Sequence, residues 1–272
     1  MRNFHLPGRS PVMAPSAMVS TSHPLATQAG IDMLKSGGNA VDAAIAACAT
    51  LCVVEPAMTG IGGDCFCIFY SNKEKKVVAL NGSGHLPSKV NYDSIIKTED
   101  NLIDPYSHSA ITIPGAVAAW CKLVEDYGNL ELIDILSPAI KLAKEGYVVA
   151  DVIADMWKRE EDKLKVDKDA KRIFLKNEKA YKIGEIHKQE QLSETLEYIA
   201  KNGRDGFYDG YVAKDIITKI NKLGGQLSLE DLANFQAEYV DPIKIDYNGY
   251  QVYECPPNGQ GIVCLLYTSD AA

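Results

Sequence analysis

No stretch of this sequence stays apolar for anything near the ~20 residues that a membrane-spanning helix needs, so no membrane is expected as a partner. Positive charge is in deficit: 28 Lys and Arg against 36 Asp and Glu leave a formal charge of −8. A field of that sign repels phosphate backbones, so nucleic acid is not an expected partner either. There is no CxxC pair and no HExxH, and the five histidines are scattered, so no metal site is expected. GxxxxGK is missing, and Arg2 and Arg9 are followed by no apolar segment of the kind a secretory signal carries. The seven cysteines are odd in number and sit mostly among apolar neighbours. They read as buried thiols of a reducing compartment, and the expected location is the cytoplasm.

What is present is an ordinary globular composition, 46% hydrophobic and 24% charged over 272 residues. Prolines 7, 11 and 15 make residues 1–15 an extended arm. Helical spacing of Leu25, Ala29 and Met33 predicts a helix from Pro24 that stops at Gly37-Gly38. Asn39 then caps a second helix, Ala40 to about Val54, apolar on every side and therefore buried. Cys65–Tyr70 and Lys76–Leu80 read as a hairpin. Cys65–Tyr70 is apolar on both faces, which predicts a sheet covered on both sides. Further helices are expected from Pro114-Gly115 to Tyr127, from a Ser137-Pro138 cap to Lys144, and over Asp215–Leu223. Ser228–Asp231 reads as a capping box, and Tyr250–Glu254 as a strand. The Lys- and Glu-rich stretch 151–196 reads as solvated helices carrying pairs such as Glu161 with Lys165.

The glycine turn Gly60-Ile61-Gly62-Gly63 leaves a helix and opens a strand. A dinucleotide-binding loop does the reverse, so no nucleotide cofactor is expected. These glycines read instead as places where the backbone passes close to another element or a ligand.

Several segments are more specific. They are Ser36-Gly37-Gly38-Asn39-Ala40-Val41-Asp42-Ala43-Ala44, Val54-Glu55-Pro56 with Gly60 to Phe66, and Ile113-Pro114-Gly115-Ala116-Val117. Asn202 to Gly210, Gly224-Gly225 with Asp231-Leu232, and Pro256-Pro257-Asn258-Gly259-Gln260-Gly261 follow. In this order they resemble the large-subunit half of the gamma-glutamyltranspeptidase family, over residues 16–263, and more closely its bacterial acylase-like branch. The resemblance implies an α+β fold, the αββα sandwich of the N-terminal-nucleophile hydrolases, incomplete because only the large-subunit half is here. It implies a precursor that cleaves itself, a small subunit led by a nucleophilic threonine, and a gamma-glutamyl substrate such as glutathione. It implies no cofactor.

Thr21-Ser22-His23 imitates the nucleophile's surroundings, but Pro24 and a helix follow it. The catalytic threonine is therefore expected beyond this chain, in a missing small-subunit half, and the fragment alone is expected to be inactive. Residues 264–272 resemble a translated sequencing adapter and are expected to be non-native. The resemblance also implies an arginine, on the loop after the second strand, that pairs with the substrate α-carboxylate. Ser83 and His85 fall on the two placements of that arginine, which makes them the candidate substrate-binding residues. Loss of the arginine opens a second reading, an acylase for a glutaryl- or cephalosporin-type amide. A non-catalytic binding module is a third.

Overall fold

Helix α1 (Pro24–Lys35) begins at His23, whose Nδ1 accepts the Leu25 N–H at 3.2 Å, and ends at Ser36 before Gly37, which takes φ +92°. Helix α2 (Ala40–Val54) follows at once. Asn39 Oδ1 accepts the N–H groups of Val41 and Asp42, and the Asp42 carboxylate accepts the Asn39 N–H at 2.7 Å, a reciprocal box. As expected from its composition, α2 is buried almost all round. The computed structural model describes residues 11–270. The first ten residues of the expected arm, and Ala271 and Ala272, lie outside the described residues.

Strands β1 (Cys65–Ser71) and β2 (Lys76–Gly82) form the expected hairpin, in register from Cys65↔Gly82 to Ser71↔Lys76. Helix α3 (Ala116–Tyr127) packs on one face of it. On that face lie Cys65, Cys67 and Phe69, with Leu80 and Val78 of β2. The opposite face carries Phe66, Ile68 and Tyr70, which are 42%, 38% and 60% exposed. The expectation of cover on both sides is thus met on one side. Apolar residues on both faces of a strand ask for two partners, and the described residues supply a helical layer to one face alone.

Helix α4 (Leu132–Glu145) starts five residues before the expected Ser137-Pro138 cap and carries Pro138 in its interior. Proline cannot donate to the carbonyl four residues back. Here that acceptor, Asp134 O, receives the Ser137 hydroxyl at 2.9 Å instead, which explains how the helix runs through.

The Lys- and Glu-rich stretch leaves from β3 (Tyr147–Val148), passes through α5 (Asp151–Arg159), α6 (Glu161–Leu164) and α7 (Lys168–Phe174), and returns at β4 (Ile186–His187), antiparallel to β3. Glu161 pairs with Lys165 at 2.8 Å, as expected. That pair is half-buried; exposed pairs of the same stretch, such as Arg159 with Asp155, contribute little to stability. Helix α8 (Glu190–Asn202) packs against α4, and α9 (Asp205–Tyr208) follows. Helix α10 (Gly210–Lys222) starts five residues earlier than expected because Asp209 caps Gly210. Helix α11 (Leu229–Asn234) carries the expected Ser228–Asp231 capping box.

Strand β5 (Glu238–Val240) adds to β2 and completes a three-stranded antiparallel sheet of order β1-β2-β5. Tyr239 of β5 lies edge-on to Tyr127 and donates to Asp126 at 2.7 Å, tying the strand to α3. A separate hairpin, β6 (Ile243–Tyr247) with β7 (Tyr250–Glu254), leads to α12 (Gly261–Asp270).

Cys48, Cys52, Cys65, Cys67, Cys121 and Cys255 are free thiols. Burial pushes the Cys52 and Cys65 thiols up to about 12 and Cys67 to about 11, which is the behaviour of inert core thiols.

Candidate functional site

The glycine turn enters β1 at the end of the sheet where the 83–87 loop leaves β2. Three backbone segments cross there. A Cβ on Gly84 would fall 1.6 Å from Ile113 O, and one on Gly115 would fall 2.0 Å from Gly82 O. The Ile113 N–H donates to His85 O at 2.9 Å. Gly63 O accepts both Gly115 N–H and Ala116 N–H, at 3.0 and 2.9 Å. The turn therefore offers a carbonyl to the start of α3. That is the opposite polarity to an anion cradle, which offers N–H groups. Close backbone approach is what Gly84 and Gly115 serve; a Cβ on Gly60 or Gly62 of the turn would meet nothing within 4 Å, so the expected close approach does not occur at those two glycines.

A polar corner forms on this crossing. Ser83 is 8% exposed. Its N–H and hydroxyl both donate to Asn81 Oδ1, at 2.9 and 2.8 Å. Asn258, from the Pro-Pro-Asn-Gly turn, donates its amide to Ser83 Oγ and accepts from Asn81 Nδ2 at 3.2 Å. Asp64 Oδ1 accepts the Gly84 N–H at 3.4 Å. None of these hydrogen bonds involves a lysine or arginine. A carboxylate placed here meets amides, a hydroxyl and the Asp64 carboxylate, and no paired cation. Ser83 and His85 part company: Ser83 lies inside the corner, whereas His85 is exposed and edge-on to Phe235 at 6.2 Å.

The loop is held from behind. Asp231 Oδ1 accepts the Ser88 N–H at 3.0 Å while Oδ2 completes the capping box with Ser228. Burial opposes ionisation of Asp231, but the hydrogen bonds from Ser228 and Ser88 hold its carboxyl below the usual range. Arg204 of the Asn202–Gly210 motif closes the end of α11, donating to Ala233 O at 2.7 Å and to Leu232 O and Phe235 O. Its guanidinium covers the Tyr208 ring, and the Tyr208 hydroxyl donates to Pro114 O at 2.7 Å. Two motifs thereby support the crossing without entering it.

Thr21 spends its hydroxyl on His23 O at 2.8 Å and on Thr27, and Ser22 donates to Glu55 at 2.7 Å. Among the described residues no group of His, Cys, Asp and Glu side chains could hold a metal ion, and no helix is long and apolar enough to cross a membrane. Sequence reasoning missed Asn258 and Asp231 as partners of the loop. The capping box signalled Asp231's local role, and nothing local signalled its second one.

A mixed helix and sheet architecture of this topology is that of the N-terminal-nucleophile hydrolases, an α+β fold. Residues 26–269 match the family described as gamma-glutamyltranspeptidase, and the chain belongs to that family. It is 37% identical to the glutathione hydrolase-like YwrD proenzyme of Bacillus subtilis (strain 168), over 94% of this chain and 48% of that protein. It is 38% identical to the glutathione hydrolase proenzyme of Escherichia coli (strain K12), over 94% of this chain and 45% of that protein. The chain thus spans about half the length of these curated relatives. Among solved structures it is similar to Helicobacter pylori gamma-glutamyltranspeptidase, with a TM-score of 0.86 at 31% identity, covering 92% of this chain and 73% of that one. It is also similar to the cephalosporin acylase of Bacillus halodurans, with a TM-score of 0.82 at 39% identity, covering 94% and 50%.

Proposed function

We propose that this chain is the large-subunit half of a self-processing enzyme that cleaves gamma-glutamyl amides such as glutathione, passing the glutamyl group to water or an amine. The nucleophile is a threonine outside residues 1–272, freed by self-scission, and this half supplies scaffold and one wall of the acyl pocket. On that reading residues 1–272 alone are inactive, the small-subunit half is the obligate partner, and Ser83, with His85 at the rim, meets the acyl group. The free thiols of Cys48, Cys52, Cys65, Cys67, Cys121 and Cys255 favour the cytoplasm. The observation that carries the reading is the match to glutathione hydrolase proenzymes across nearly the whole chain.

A second reading, a glutaryl- or cephalosporin-type acylase, is favoured by the likeness to the cephalosporin acylase of Bacillus halodurans. Turnover of a gamma-glutamyl anilide and a glutaryl anilide by the full-length protein separates the two. Activity on the glutaryl compound alone removes the first reading. Activity of purified 1–272 on either removes both.

A further inference from the structure

His187 is fully buried, and neither ring nitrogen has a hydrogen-bond partner. Four aromatic rings surround it. Trp157 stands edge-on at 4.7 Å and Tyr181 at 4.7 Å, with Tyr147 at 5.8 Å and Phe174 at 6.1 Å. Tyr147 is its partner across the β3–β4 ladder, and the other three belong to the segment that departs from this ladder and returns to it. The base of that segment is narrow: Val149 N–H donates to Glu185 O at 2.8 Å, and Gly184 N–H to Val149 O at 3.0 Å. Its hydrogen bonds and ion pairs to α8 and α10 are largely exposed, Arg172 to Gln191 and Lys219 to Asp167 and Asp169, while Ile153, Ala154 and Trp157 of α5 join the hydrophobic core.

We propose that residues 150–183 form a flap, hinged on the β3–β4 ladder and latched by the aromatic box around His187, which lifts when His187 takes up a proton. A neutral imidazole packs among rings as a flat, weakly polar body. An imidazolium needs an acceptor at each nitrogen, and the box offers only ring faces and edges. Those attract a cation more weakly than water solvates it. Burial alone draws the His187 pKa down to about 4.

The titratable neighbours do not offset this. The Tyr147 phenol is pushed up by burial and the Tyr181 phenol likewise, so both stay neutral. Lys176 and Glu185 act on Tyr181 from the rim and pair with each other at 2.8 Å. Trp157 of α5 and Phe174 of α7 carry no proton to exchange in this range.

The flap's position matters beyond its own residues. Arg172, Phe174 and Tyr181 form one wall of a cleft of about 580 Å³ whose other wall includes Thr59, Gly60 and Ile61 of the glycine turn. Lifting the flap unwalls the turn that enters β1.

Hydrogen–deuterium exchange of the full-length protein, corrected for the pH dependence of chemical exchange, tests this. Between pH 7 and pH 4.5, peptides within 151–181 are expected to gain opening by about 50–100-fold, the ratio set by pKa values of about 4 closed and about 6.5 open. Peptides from α2 and α3 are expected to keep their protection, and His187→Phe is expected to hold the flap closed at pH 4.5. The same acid gain in His187→Phe, or parallel loss in α2, overturns the proposal. Should that variant fail to fold, an NMR titration of the wild-type His187 ring decides: a pKa well below 6 supports the latch, and one at or above 6 overturns it.

Discussion

Asn258 donates its side-chain amide to Ser83 Oγ across 175 residues of sequence, joining the Pro-Pro-Asn-Gly turn to the loop that leaves β2. With Asn81 the two close a ring of hydrogen bonds at the mouth of the candidate site. Replacing Asn258 by Ala leaves Ser83 Oγ and Asn81 Nδ2 short of a partner each. The expected loss is about 1–2 kcal/mol in urea unfolding, since each bond contributes about 1. Acyl-substrate KM is expected to rise more than kcat falls, measured on the full-length enzyme.

Ser83→Arg puts a forked cation into a corner whose hydrogen bonds involve no lysine or arginine. If the substrate presents an α-carboxylate, kcat/KM for a gamma-glutamyl anilide is expected to rise relative to wild type, by about tenfold for one charge-assisted pair. A glutaryl group ends in a carboxylate at the same distance from the amide and gains likewise, whereas an uncharged acyl end gains nothing. The ratio of gamma-glutamyl to butyryl anilide turnover, wild type against variant, is the measurement.

Asp42 is fully buried and accepts N–H groups from Asn39, Asn129 and Leu130. One carboxylate thus caps α2 and pins the end of α3 to it. Asp42→Ala strands those donors, and a loss of about 3 kcal/mol or more is expected in equilibrium unfolding. Asp42→Asn, which keeps one acceptor, should fall between.

His23 caps α1 through an unprotonated Nδ1. Burial lowers its pKa, with Glu55 opposing in part. The fold therefore disfavours the imidazolium. Its contribution is complete above the unfolded value of about 6.5 and is lost as pH falls below that toward the lower folded value. His23→Asn, a capping residue that does not titrate, should lose less melting temperature between pH 7 and pH 5 than wild type does.

Gly84 and Gly115 sit where a methyl group would overlap a carbonyl oxygen at 1.6 and 2.0 Å. Backbone, not a flexible side chain, is in the way. Gly84→Ala is expected to abolish soluble expression, or to cost several times the ~1 kcal/mol of a typical point mutation, read by thermal melting.

What could be read in advance follows the reach of each signal. The Asn39–Asp42 box and the all-apolar α2 were legible because both partners of the cap, and every face of the helix, lie within a few residues. The hairpin was legible from its two apolar runs and the turn between them. Pro138 misled because proline usually opens a helix, and the compensating Ser137 bond depends on a rotamer that the letters do not display. The corner was half legible. Ser83 and His85 could be placed by position, but Asn258 is a turn residue until the chain folds it back, and Asp231 looks fully employed by its own helix. The aromatic box was invisible, since its members come from four separate stretches of sequence.

The one-sided cover of β1 has a consequence for the order of assembly. The α1–α2 pair and the β1–β2 hairpin each join neighbours in the chain, so each needs little loop closure to form, and α3, which touches α2 and both strands, brings them together. During synthesis this unit emerges before the residues that follow it. Once α3 has covered one face of the hairpin, the other still leaves Phe66, Ile68 and Tyr70 to water or a chaperone until a later partner arrives.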